Sequence, residues 1–178
     1  MKNLSKCVRG IIVIIFIFGL AASAWAEEKA FKMLAPWEAQ GRVFRVGPDT
    51  LQFLGTFEGI MYIESGEGNL DAAVFTCPAT QEINTTDGKT KAHGRCMITG
   101  TEGADSVFAD FTCAGIIGGC KGRFLLTGGT GKFAGIKGSS DMVVRSALGG
   151  MAVDVKSGSV IQAAQGLAIW PNLKYTLP

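Results

Sequence analysis

Three charged side chains stand inside otherwise apolar, strand-like runs of this 178-residue chain: Glu58, Asp110 and Arg145. Burying an unpaired charge costs several kcal/mol, so a charge directed into a protein interior is either paired or functional. The competing reading places each on the solvated face of an antiparallel strand. Glu58 is the first choice for a site, because Phe57 and Gly59 on either side of it could open a cavity there. These three are the ligand-pocket candidates.

Other constellations that carry catalysis are thin. His93 is the single histidine, beside Gly94, and reads as an exposed residue rather than a general base. No GxSxG elbow presents a nucleophile to it. Gly128-Gly129-Thr130-Gly131 lacks the Gly-Lys-Ser/Thr ending of a phosphate-binding loop and is followed by neither a helix start nor a parallel unit. It reads as a structural turn, with Gly128, Gly129 and Gly131 allowing a tight corner between apolar runs. No catalytic residue and no cofactor is assigned.

Cysteine usage depends on the compartment. Lys2, Lys6 and Arg9 precede an apolar core, Ile11 to Leu20, and Ala24-Trp25-Ala26 follows as a cleavage signature. That three-part layout predicts a secretory signal over 1–26, cleaved after Ala26, with one domain over 27–178. Removing the three basic residues leaves 14 Lys and Arg against 15 Asp and Glu, a net charge near −1. A basic footprint for nucleic acid is absent, as is a polybasic run for a membrane surface. The export signal predicts a periplasmic or secreted protein without a membrane anchor after cleavage.

Cys77, Cys96, Cys113 and Cys120 remain past residue 26. An even count in an exported chain predicts two disulfides. A Thr86-Asp87-Gly88 turn sets Cys77 against Cys96, and a Gly115-Ile116-Ile117-Gly118 turn sets Cys113 against Cys120. That favours 77–96 with 113–120. A turn at Gly103-Ala104 also sets Cys96 against Cys113, leaving 96–113 with 77–120 as the competitor. Without a CxxC pair, and with one histidine, no metal site is expected.

The elements that must position these residues are short strands. Leu51 to Ile63 alternates, with Leu51, Phe53, Gly55, Phe57, Gly59, Met61 and Ile63 on one face. Further strands are expected over Leu70 to Thr76, stopped by Pro78, then Ala92 to Thr101, Ser106 to Cys113, Lys121 to Thr127, Lys132 to Ile136, Asp141 to Leu148, Met151 to Val155 and Ser159 to Trp170. Residues 27–40 show no clear period and read as an arm or first edge. Phe53, Phe57, Phe108, Phe111, Phe124 and Phe133 are expected in the core. A meander of about eight strands must close or leave edges that invite aggregation. The prediction is an all-β fold, a closed antiparallel eight-stranded barrel, with a two-sheet β-sandwich as the alternative.

At the glycine corner the chain resembles a known superfamily. Thr127-Gly128-Gly129-Thr130-Gly131-Lys132-Phe133-Ala134-Gly135-Ile136-Lys137-Gly138 is similar to the GGTGxF…G segment of the allene oxide cyclase and dirigent-protein barrels. It is closer still to small exported bacterial proteins placed in that class. The close match spans Leu125 to Gly138. The resemblance implies an eight-stranded barrel and self-association, as a trimer. Those cyclases use an interior carboxylate, and dirigent proteins use interior Asp and Arg; no residue here aligns with either, so no catalytic role is carried over. Function lives in a site grafted on a fold. The first expectation is therefore a non-enzymatic exported barrel that binds a small apolar molecule or a protein partner. A cyclase- or isomerase-type enzyme with a carboxylate inside the barrel is the alternative, and a structural envelope protein the third.

Overall fold

The structure, a computed structural model, describes residues 28–101, 103–147 and 159–178, with side chains in all of these but 159–163. Eight strands follow one another in the chain: β1 (Lys29–Arg45), β2 (Thr50–Ile63), β3 (Ala73–Asn84), β4 (Lys89–Thr99), β5 (Ser106–Ile116), β6 (Gly119–Gly129), β7 (Lys137–Ser146) and β8 (Ser159–Thr176). Each pairs antiparallel with the next, and β8 pairs with β1, so the sheet is a closed barrel in sequence order. The sandwich alternative falls. Closure leaves every long strand partnered on both sides. The signal segment 1–26 and the strand expected over Met151 to Val155 lie outside the described residues.

The period-2 pattern sets inside and outside. Along β2, Leu51, Phe53, Met61 and Ile63 are buried, while Leu54, Glu58, Ile60 and Tyr62 are exposed. The segment read as an arm or first edge is instead a full barrel strand, β1, with Met33, Ala35, Trp37 and Ala39 buried. Alanine and methionine are weak strand formers, and Pro36 interrupts the run, so propensity hid the alternation. Pro78 likewise does not stop β3, which continues to Asn84. In both cases the ladder gives way on one side only. The β1–β2 register skips Ala35 and Pro36 while both pair with β8. The β3–β4 register skips Cys77 and Pro78 while both pair with β2.

Large interior rings are seated over glycines of neighbouring strands. Gly41 and Gly55 stand opposite each other, and a Cβ on either would meet the Phe53 ring. Trp37 has Gly59 opposite on β2 and Gly166 opposite on β8. A Cβ on Gly166 would lie 2.5 Å from the Trp37 Cζ2 atom. The in-strand glycines thus give space to aromatics, the close approach that Gly55 and Gly59 suggested.

One end of the barrel is plugged by the glycine corner. Residues 132–136 do not form the expected strand; Gly131–Phe133 is a 3-10 turn. Its fold is fixed by hydrogen bonds to the start of β5 and to Asp105 just before it. Thr130 N–H donates to the Ser106 carbonyl (2.8 Å), Ser106 N–H donates to Thr130 Oγ1 (2.9 Å), and Lys132 N–H donates to Asp105 Oδ2 (3.1 Å). Gly131 has φ 49°, the left-handed region, and a Cβ there would overlap the Asp105 carboxylate. The turn drives Phe133 and Ile136 into the barrel, where both are fully buried and belong to the same apolar core as Leu70 and Leu173. Burying each such side chain contributes about 1.5–3 kcal/mol.

Candidate interior binding site

The opposite half of the barrel is incompletely filled. A cavity of about 90 Å³ lies between Trp37, Phe57, Phe75, Phe111, Phe124 and Trp170, with Met142, Val144 and Ala168 completing its apolar wall. It reaches the rim at Ile116, Gly118, Gly119 and Ser146, beside the two-residue turn that joins β5 to β6. A second chamber of about 50 Å³ adjoins it and shares Trp37, Phe57, Gln81, Thr90, Gly118 and Ser146. Its remaining walls include Ala39, Phe53 and Ile83.

Aromatic packing holds the cavity walls in place. Trp37 meets Phe57 edge-on at 5.3 Å between centroids, and Phe57 meets Phe53 at 5.7 Å and Phe111 at 6.3 Å in the same manner. Trp170 packs tilted against Phe124 at 5.1 Å. Edge-to-face pairs of this kind are favoured by the ring quadrupole.

Both disulfides also line the cavity. Cys77 bonds Cys96 across β3–β4, where the ladder skips Pro78, and Cys113 bonds Cys120 across β5–β6. This is the pairing favoured from the turns, and the 96–113 with 77–120 alternative is excluded. The turn chemistry explains it. Asn84 Oδ1 accepts from the Thr86 and Asp87 N–H groups, Asp87 Oδ1 accepts from Lys89 N–H, and Gly88 takes φ 69°. Asp87 is held below the usual carboxylate range by its side-chain hydrogen bond to Lys89.

Among the described residues, the polar groups in the lining are few and uncharged. Gln81, Thr90 and Ser146 stand where the two chambers meet the rim. Trp37 and Trp170 line the larger chamber with their rings, while their indole Nε1 atoms are sealed from water and have no hydrogen-bond partner among the described residues. Among the described residues, no Asp, Glu, Lys, Arg or His lines either chamber.

The three charged residues singled out from the sequence are not brought together. Glu58 is exposed on the outer wall, opposite Glu38 on β1 and Thr76 on β3. Its neighbour Phe57 does line the cavity, but residues adjacent in a strand point to opposite faces. Asp110 lies outside, opposite Arg95, with Arg95 Nε 3.6 Å from its Oδ1. Arg145 is exposed, opposite Gly119 and Leu167. All three therefore take the solvent-facing alternative. His93 is exposed in mid-β4. Phe108, expected in the core, is on the outer wall and 41% exposed, because it shares the face of Asp110. Among the described residues no cluster of His, Cys, Asp or Glu could hold a metal ion.

Sequence reasoning passed over Trp37 and Trp170. The available signal was that these are the two tryptophans beyond residue 26, and that Met33, Ala35, Trp37 and Ala39 alternate. Comparisons with protein-family models, with curated proteins and with solved structures find no match.

Proposed function

We propose that this protein is an exported barrel that holds a small, largely apolar molecule in the interior cavity, without catalysing a reaction on it. The observation that carries this reading is an aromatic-walled cavity that reaches the rim at one end of the barrel while the other end is plugged. A concave, mostly apolar pocket with a few convergent polar groups is the usual form of a small-molecule site. Export is supported by the two disulfides, which persist in oxidising compartments, together with the signal-like residues 1–26.

The enzyme alternative needs a carboxylate inside the barrel. Glu58 and Asp110, the two carboxylates among the ligand-pocket candidates, stand outside, which weighs toward binding. Self-association, which the family resemblance implies, would use the outer apolar band in which Ile60 faces Val74 and Met97 faces Phe108.

Native mass spectrometry of the protein recovered from its exported fraction tests the reading. The expected spectrum shows a chain beginning at Glu27, four hydrogens lighter than the reduced form, with a co-purified small molecule. A clean apo mass, combined with no thermal shift from any apolar probe, would overturn ligand binding. The same spectrum reads the oligomeric state.

A further inference from the structure

We propose that the open rim of the barrel docks on an anionic lipid bilayer, with the cavity mouth against the membrane, so that the apolar ligand is exchanged with the lipid phase. The exchange rests on the interior cavity being a ligand site; the docking stands on the rim itself.

The β1–β2, β3–β4 and β5–β6 turns, residues 46–49, 85–88 and 117–118, lie at the end where the cavity opens. Val46, Ile116 and Ile117 are exposed there, at 57%, 62% and 45%. Turn tips favour Gly, Pro, Asn, Asp and Ser, each for a backbone or hydrogen-bonding reason that isoleucine does not share. Gly118, with φ 98°, already meets the backbone demand of the β5–β6 turn. The two isoleucines thus serve no need of the turn, yet Ile116 borders the larger chamber and Ile117 the smaller.

Hydrogen bonds between neighbouring turns hold these tips in place. Thr85 N–H donates to the Asp49 carbonyl (2.8 Å), Ile117 N–H to the Gly88 carbonyl (2.9 Å) and Ser146 N–H to the Gly118 carbonyl (2.9 Å). A rim ordered in advance loses little conformational freedom on meeting another surface.

Charge identifies the partner. On this half of the barrel Lys89 and Arg123 are paired with Asp87 and Asp141. Arg42, Arg45, Lys91, Lys121 and Arg145 are not ion-paired among the described residues, and the unpaired carboxylates of this half are Asp49 and Glu82. Five cations against two carboxylates leave a positive surplus, whereas the remaining described residues carry six cations against eight carboxylates. No stretch of sequence holds the five together; β1, β4, β6 and β7 bring them to one half. Lys91 and Lys121 flank Ala114 in one row, and Lys121 stands opposite Val143, two residues from Arg145. Lys121, Val143 and Arg145 border an open outer groove that shares Ile116 and Gly119 with the cavity. Apolar tips flanked by cations match a bilayer with anionic headgroups, where the tips enter the acyl boundary and the cations meet the surface charge. A soluble anion would meet the cations and leave the isoleucines in water.

The test is flotation of the oxidised protein of residues 27–178 with vesicles of phosphatidylcholine, alone or mixed with phosphatidylglycerol, at low salt. The expected result is co-flotation with the mixed vesicles, none with the neutral ones, and release at about 0.5 M salt, where screening acts within roughly 4 Å. Lys121→Gln should weaken binding about fivefold, the range for one basic residue at an anionic surface. Lys137→Gln, the same charge change at the plugged end, should leave it unchanged. Ile117→Trp places an indole at the tip, and its emission, read as the difference from wild type, should shift to the blue on the mixed vesicles. Equal binding to neutral vesicles overturns the role of the cations. Equal weakening by Lys137→Gln and Lys121→Gln overturns the rim orientation, and binding without the blue shift overturns insertion of the tips. Absence of co-flotation with the mixed vesicles overturns the docking, while the ligand-site reading stands or falls separately on the thermal shift with apolar probes.

Discussion

Gly131→Ala isolates the turn that plugs the barrel. Gly131 has φ 49°, and placing an L-residue in the left-handed region costs roughly 1–2 kcal/mol. The new Cβ would overlap the Asp105 carboxylate, which must then swing away from the Lys132 N–H it accepts from, losing about 1 kcal/mol more. The sum, about 2–3 kcal/mol, corresponds to a fall in thermal midpoint of about 5–10 °C for a domain of this size. Thermal unfolding of the oxidised protein, followed by circular dichroism, reads it directly. The Asp105→Ala background separates the two causes. There the clash is gone, so the alanine at 131 should cost about 1 kcal/mol less than in wild type, leaving the backbone contribution. Equal costs in both backgrounds would refute the clash, and an unchanged midpoint in the wild-type background would refute the turn. Gly131→Val adds a β-branched side chain to the same position and should lower the midpoint further.

Glu58 stands opposite Glu38 with both side chains exposed, so Glu58→Gln should leave stability within about 0.5 kcal/mol, and Glu58→Lys should raise it by a few tenths to about 1 kcal/mol; urea titration decides, and a gain above about 1 kcal/mol for the glutamine would instead indicate a buried charge. Replacing Cys77 and Cys96 by alanine should destabilise by about 3 kcal/mol, and replacing Cys113 and Cys120 by somewhat less, because the sequence separations are 19 and 7. The reverse order in denaturant midpoints would contradict a chain-entropy origin. Burial pushes the Tyr175 hydroxyl above its usual value of 10.0. Its contribution to stability is therefore complete below about pH 10, the unfolded value, and is lost as pH rises toward the folded one. Tyr175→Phe should remove that part of the alkaline decline in midpoint; an identical alkaline profile would refute it.

Much of this fold is legible locally. Period-2 alternation in Leu51 to Ile63 separates Phe53 from Leu54 and Phe57 from Glu58, and the structure keeps that separation. The Thr86-Asp87-Gly88 turn sets the strand register that brings Cys77 to Cys96, so turn chemistry and counting favour the pairing that the structure shows. What alternation does not supply is which face of a strand is inside when both carry apolar residues. Ile60, Val74, Met97, Phe108 and Leu125 are all exposed, and Phe108 cannot be told from Phe111 without knowing where the barrel axis lies. Pro36 and Pro78 are strand breakers by propensity, and only ladders on their other side keep β1 and β3 continuous.

The sequence by itself indicated an all-β chain, most of its hairpin turns and the glycine corner, and it favoured one of two cysteine pairings, because each depends on residues close together along the chain. Tertiary structure decided the site. Trp37 and Trp170 share a cavity because β1 closes against β8, joining the two ends of the chain, and no local spacing encodes that contact. Which half of the barrel is filled was decided in the same way. Phe133 and Ile136 enter one end from the β6–β7 turn and leave the other to the aromatic cavity.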